Sequence, residues 1–175
     1  MMPLTLLAQY GMANATSGID FMRLLASTDI ALRVLMLLGR QEPGQSTNVG
    51  QMASQLGGLS RNHLHKIIQD LAALGILRTV RGAGGGVLLA KPLAEVRLGG
   101  LVRTLEKDHA IVECFREDGG GCVLDAGCRL RAMLRTARER FYESLDQHTL
   151  ADCAAGRWFA SIDKPTSRKV AARRG

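Results

Sequence analysis

The sequence predicts a mainly α protein: a winged helix-turn-helix with a small β-hairpin wing, followed by a long helix suited to dimerisation. Three observations lead there. Hydrophobic residues make up 46% of the chain but aromatics only 4%, so the core must be assembled from Leu, Ala, Val, Ile and Met, which favours packed helices. Apolar residues recur at helical spacing in three successive segments between residues 28 and 74. A glycine-rich pair of β-prone runs follows them directly.

Residues 1–21 show no period and are interrupted by Gly11, Asn14, Ser17 and Gly18. They read as a disordered N-terminal extension, with Met22 opening the patterned sequence. The segment TDIALRVLMLLGRQ then predicts a first helix from Thr28, its N-cap, with Ile30, Val34, Leu37 and Leu38 on one face. Pro43 and Gly44 place a loop before a second helix carrying Val49, Met52, Ala53 and Leu56, stopped by Gly57-Gly58. Ser60 caps a third helix, SRNHLHKIIQDLAAL, which ends at Gly75. Its apolar face is Leu64, Ile67, Ile68, Leu71 and Leu74, and its polar face carries Arg61, Asn62, His65, Lys66 and Gln69.

The runs ILRTV (76–80) and GVLLAK (86–91), separated by RGAGG, predict a hairpin whose glycines reach positive φ freely. A fourth helix is expected over 98–107 and a glycine- and cysteine-rich loop over 113–128. From Arg129 a long helix carries Leu130, Leu134, Ala137 and Phe141 as a narrow seam for a second helix. Beyond residue 156 the chain turns basic, with Arg157, Lys164, Arg168, Lys169, Arg173 and Arg174 against Asp163 alone, and reads as a disordered tail. The organisation expected is thus an extension (1–21), a winged helix-turn-helix (22–92), a cysteine loop with a dimerisation helix (93–156) and a tail (157–175).

Net charge is +7 and the isoelectric point about 9.7, which points to a polyanionic partner, nucleic acid before membrane. No apolar run approaches the roughly 20 residues that span a bilayer, and no basic residue precedes the short apolar N-terminal stretch, so it fails as a secretory signal. A cytoplasmic chain without a membrane is expected. In a helix-turn-helix the second helix enters the major groove, with its N-terminal residues nearest the bases. Those residues are Ser60, Arg61, Asn62, His63, His65 and Lys66. Arg pairs bidentately with guanine and Asn with adenine, while Ser60 and the helix N-terminus suit a phosphate. In the wing, Arg81 suits a narrow minor groove, and Gly84 and Gly85 allow close backbone approach to DNA. A solvated helix face with a plain turn, or a winged helix that contacts protein, are the alternatives.

Three of the four cysteines fall within fifteen residues as C-x7-C-x5-C: Cys114, Cys122 and Cys128. The close C-x2-C pairs of structural zinc sites are missing, and ferredoxin spacings differ. Three soft thiolates on a glycine-rich loop suit an iron–sulfur cluster, although free thiols, a redox pair or a zinc-stabilised protein stay open on spacing alone. Three ligands leave a four-iron cluster one short. Cys153 lies beyond the long helix and reads as a lone thiol. No nucleotide loop, substrate motif or catalytic His–acid pairing appears, and the GxGGG run precedes a strand rather than a helix. An enzyme is not expected.

Taken together, MRLLASTDIALRVLM (22–36), the run from Leu59 to Pro92, VRLGGLVRTLE (96–106), VECF, CVLDAGCRLRAML and LDQHTLAD (145–152) resemble the winged-helix iron–sulfur regulators. That family includes the nitric-oxide sensor NsrR, the cluster-homeostasis regulator IscR and the iron regulator RirA, and the resemblance is greatest to the nitric-oxide-sensing branch. It covers roughly residues 22–153. It implies a homodimeric repressor of double-stranded DNA at a palindromic operator, with the helix from Arg129 pairing the subunits. It implies a cluster on Cys114, Cys122 and Cys128, four-iron in preference to two-iron, and nitric oxide as the signal. It also makes Asp29 of the other subunit the fourth ligand, and Arg81 and the third helix the DNA contacts. Asp29 has a second reading, as an acid favouring the positive end of its own helix. The seven-residue gap between the first two cysteines matches the iron regulators, so an iron- or cluster-supply signal on the same scaffold is the alternative.

Overall fold

A computed structural model describes residues 24–82, 85–124 and 127–154. The expected N-terminal extension, the basic tail and Gly84 lie outside the described residues. The first helix, α1, runs Ala26–Leu38, α2 Val49–Gln55 and α3 Arg61–Ala73. The hairpin pairs β1 (Leu77–Val80) with β2 (Gly86–Leu89), antiparallel, from Leu77 opposite Leu89 to Val80 opposite Gly86. After a 3-10 turn at Leu93–Glu95 come α4 (Leu98–Leu105), a second 3-10 turn at Glu113–Phe115, α5 (Arg129–Leu145) and α6 (Leu150–Ala154). The mainly α winged helix-turn-helix is therefore the fold observed.

Thr28 does not cap α1. The helix starts two residues earlier, with Leu25 in the cap position. Leucine has no side-chain acceptor, and none is needed: Glu106, buried at the end of α4, accepts a hydrogen bond from the Leu25 N–H at 2.9 Å. A carboxylate brought from 81 residues away satisfies an orphan donor and meets the positive helix end. Thr28 instead lies buried inside the helix, its Oγ1 without a partner among the described residues. The end of α3 follows expectation. Gly75 adopts φ 65°, and the Ile76 N–H returns to the Leu71 carbonyl at 3.1 Å, closing the helix in a left-handed cap.

The core is one cluster. Val34, Leu35 and Leu38 of α1 meet Met52 of α2, Leu64 and Leu71 of α3, Val87 of β2 and Leu150 of α6. Residues on both sides of position 92 enter it, because Leu93, Val96 and Leu101 pack there too. The chain returns after α5 to make this possible: the Leu98 N–H donates to His148 and the Leu150 N–H to Val96, both at 3.0 Å. The hairpin also has a third edge. Thr47 exchanges two 2.9 Å backbone bonds with Val87, tying the loop before α2 to the wing. Gly86 sits where this backbone crosses; an added Cβ would stand 2.7 Å from the Thr47 carbonyl carbon.

α5 packs on α4 through Tyr142, which is buried and stacked under Arg103 at 4.4 Å. Arg103 also bonds Glu139 at 2.5 Å and holds that carboxyl below the usual range. Of the expected seam, Leu130 and Ala137 are exposed while Leu134 and Phe141 are half-buried. Exposed Met133 joins them. Among the described residues no helix is long and apolar enough to cross a membrane.

Two adjacent glycines of α4 separate packing from propensity. A Cβ on Gly99 would clash with the Tyr142 carbonyl and lie 2.6 Å from Asp146 Cγ, whereas one on Gly100 would meet only Asp146 Oδ1 at 3.9 Å. Gly99→Ala is expected to cost about 1–3 kcal/mol by forcing α4 off α5. Gly100→Ala should gain about 0.5–1 kcal/mol from helix propensity. Urea denaturation of both variants at one protein concentration checks this, and equal midpoints would contradict the close α4–α5 crossing.

Candidate nucleic-acid interface and cysteine loop

The amphipathic pattern of α3 decides what it shows to solvent. Leu64, Ile67, Ile68 and Leu71 are anchored in the core, so Arg61, Asn62, His63, His65 and Lys66 are left exposed. Ser60 occupies the N-cap position as expected, but its side chain makes no capping hydrogen bond. Ser60 is exposed at the start of α3, a position suited to receiving a phosphate. Lys66 forms an exposed i,i+4 pair with Asp70 at 2.8 Å, a contact worth well under ~1 kcal/mol and readily exchanged for phosphate.

Arg61 departs from the simple picture of a free arginine. A methyl group on Gly50 would lie 3.3 Å from its Nη2, so the guanidinium lies against the first turn of α2. Asn48 caps that turn, accepting from the Gly50 N–H at 2.8 Å. The sequence reading missed Asn48, although Asn immediately before an apolar-periodic run is an N-cap signal. Arg61 and the α2 N-terminus therefore form one cationic corner beside the exposed face of α3.

The wing stands next to this corner. Arg81 is exposed at the tip, Gly82 has φ 100°, and the Gly85 N–H closes the turn on the Gly82 carbonyl at 2.9 Å. A Cβ on Gly85 would come 2.8 Å from that same oxygen, so glycine here permits the tight turn itself. Arg78, exposed on β1, adds a charge that the sequence reading did not single out; its alternation with buried Leu77 was the available signal.

The cysteines occupy different ground. Residues 107–128 connect α4 to α5 and are held mainly by local polar contacts. Arg116 clasps Asp118 at 2.7 and 2.9 Å, and Asp118 also accepts from the Gly120 N–H at 3.0 Å. The Arg116 guanidinium and that backbone bond hold the Asp118 carboxyl below its ordinary range. Gly119 and Gly120 turn the chain at φ 80° and 58°. Arg138 of α5 lies over the Phe115 ring at 4.9 Å, the contact that seats the 3-10 turn.

Within this segment Cys114 is half-buried in the 3-10 turn, Cys122 is exposed, and Cys128 is the N-cap residue of α5. All are free thiols. Among the described residues no three Cys, His, Asp or Glu side chains converge as a metal site, so one chain brings the three onto a single loop without closing them on a centre. Cys153 sits half-buried on α6, where burial pushes its thiol up. Asp29 is in the first turn of α1, bonded to Arg33 through both carboxylate oxygens at 2.7 and 3.1 Å. That helix end is fastened through Glu106 to the residue from which the cysteine loop departs.

Comparison with known proteins agrees with this geometry. The HTH-type transcriptional regulator NsrR of Geobacillus kaustophilus is 44% identical over 131 residues, covering 75% of this chain and 88% of the relative. The NsrR of Bacillus subtilis is 39% identical over 131 residues, covering 75% and 89%. Among solved structures, T. potens IscR superposes with a TM-score of 0.60 at 23% identity, covering 78% of this chain and 88% of that one. CymR, the global cysteine regulator of B. subtilis, gives 0.60 at 24% identity, covering 77% and 97%. The family model for Rrf2, an iron-dependent transcriptional regulator, matches residues 24–156. The chain therefore belongs to the Rrf2 family and is an NsrR-like, winged-helix transcriptional regulator.

Proposed function

We propose that this regulator is a repressor that binds a palindromic operator in double-stranded DNA as a homodimer, with affinity governed by a nitric-oxide-reactive iron–sulfur cluster. The observation that carries the reading is the exposed cationic face of α3 beside the wing, on a chain 44% identical to a regulator named NsrR. Two copies related by a two-fold axis would present their α3 helices about one DNA turn apart, ~34 Å. The apolar side chains left exposed on α5, Leu130 and Met133 among them, supply the surface for pairing. Asn62, His63 and His65 then meet base edges or phosphates, Ser60, Arg61 and Lys66 fix register on the backbone, and Arg81 with Gly84 and Gly85 lays the wing into the minor groove.

The donor set fits a cluster. Cys114, Cys122 and Cys128 are thiols free of disulfides and outside the core, and thiolate is a strong donor to iron. Gly119 and Gly120 let the segment bend between the first two. A four-iron cluster held by these three and by Asp29 of the second subunit would supply iron with one hard, exchangeable ligand, open to nitric oxide. For that role Asp29 must leave Arg33, an exposed pair worth only about 0.2–1 kcal/mol. The Glu106–Leu25 hydrogen bond joins the root of the cysteine loop to α1, and α1 packs directly on α3. A movement of the loop thereby reorients the reading helix. The seven-residue gap from Cys114 to Cys122 favours a second reading in which the same scaffold reports iron supply. Transcript changes after nitric oxide and after iron chelation separate the two.

Binding measured by fluorescence anisotropy over a series of salt concentrations tests the reading surface. Asn62→Ala is expected to lose about 1–3 kcal/mol and to relax discrimination at one operator position; Lys66→Ala should weaken all sequences evenly and reduce the salt slope by about 1. Wild-type behaviour in both variants would sink the assignment of α3 to the groove. For the cofactor, anaerobically purified wild type should be brown. Cys114→Ser, Cys122→Ser and Cys128→Ser should each be colourless with unchanged far-UV dichroism, while Cys153→Ser stays brown. A colourless wild type that iron and sulfide do not reconstitute would remove the cluster.

A further inference from the structure

One apolar concavity lies away from both α3 and the cysteines. It is a groove of about 640 Å³ between α6, the loop after α1 and the segment leaving β2. Leu38, Leu89, Pro92, Leu93, Ala151 and Ala154 form its apolar lining. Glu42 and Lys91 stand at its rim. This volume falls within the ~300–1,000 Å³ of ordinary binding pockets.

The chain itself points to the occupant. Ala154, the last residue of α6, is part of the groove wall. The sequence continues Ala155-Gly156-Arg157-Trp158-Phe159. An extended chain covers up to ~3.5 Å per residue, so Trp158 reaches up to ~14 Å from Ala154, enough to fold back over the groove that Ala154 borders. Gly156 gives the backbone freedom for that reversal. Trp158 and Phe159 are adjacent aromatics in a chain with only one Trp, four Phe and two Tyr, and aromatic side chains of this size each bury about 150–250 Å². Arg157 precedes them with the charge that complements Glu42 at the rim.

We propose that the C-terminal segment Arg157–Phe159 of the same chain docks into this groove, with Trp158 and Phe159 on its apolar lining and Arg157 beside Glu42. Docked there, the segment clamps α6 against the loop after α1 and against the strand end at Leu89, the two sides that the Thr47–Val87 bridge already joins at the wing base. The basic stretch from Lys164 onward then leaves from the foot of the wing.

Because Trp158 is the only tryptophan, its fluorescence in the full-length protein reads the docking directly. Emission should lie to the blue of the urea-denatured chain, with acrylamide quenching several-fold weaker. Ala94→Glu, which places a carboxylate on an exposed position of the groove wall, should move both values toward those of the denatured chain while far-UV dichroism stays unchanged. Three results would overturn the proposal: a native Trp158 as quenchable as in urea, a shielded Trp158 indifferent to Ala94→Glu, or shielding lost on dilution, which would make a second copy the occupant. Hydrogen exchange on Trp158→Ala is an independent check whatever Ala94→Glu does to folding. Amides of residues 41–45 and 89–95 should exchange several-fold faster than in wild type, and equal rates would reject the clamp.

Discussion

The packing of α1 is the constraint on which the rest of the structure depends. Seven of its thirteen residues are buried, and they face in several directions at once: toward α3, toward β2 and toward α6. Its N-terminus is closed by a carboxylate from α4 rather than by its own sequence. An orphan helix N–H left unpaired in such a setting would cost about 1–3 kcal/mol, so the end of α4 and the start of α1 are held as a unit. Every element that meets DNA in the proposed reading is thus mounted on a helix whose far end touches the root of the cysteine loop. Fold and control share one fastening.

The wing shows the same economy. Its two strands are short, four residues each, and a lone two-stranded hairpin is marginal in water. The Ala90–Ile76 hydrogen bond of 2.8 Å extends the ladder at the base of the hairpin, and the Thr47 bridge ties the outer edge of β2 to the loop before α2. By contrast, the loop over 107–128 is held by contacts among near neighbours, chiefly Arg116 with Asp118 and Glu113. Rigid presentation of α3 and a loosely tethered cysteine segment are what a sensor needs, since exposed ion pairs exchange at little cost.

Much of this was legible in the sequence where the determinants are local. The apolar stripe of α3, the stop at Gly75 and the strand–glycine–strand pattern each encode their own geometry, and the polar face of α3 follows from the stripe by exclusion. Asn48 and Arg78 carried local signals of their own; the other misreadings are non-local. Thr28 carries a capping side chain, yet Glu106 outcompetes it from 81 residues away. Gly86 opens the second β-prone run, where the sequence offers no reason for glycine, but a crossing backbone at Thr47 requires it. Arg61 reads only as part of the polar face of α3, because nothing in the sequence shows that α2 begins against it. For the cysteines, spacing alone leaves several chemistries open, and the proposed ligand set draws on one loop and a second subunit, which a single chain does not bring together.

The measurement that tests the central claim most directly follows the chromophore and operator occupancy together. Anaerobic protein bound to labelled operator is titrated with nitric oxide while visible absorbance and anisotropy are recorded on the same sample. The account predicts that bleaching and release from DNA proceed in parallel, with the reading surface intact in the colourless protein. Bleaching that leaves operator affinity unchanged would contradict it, because the loop at Cys114–Cys128 would then have no hold on α3.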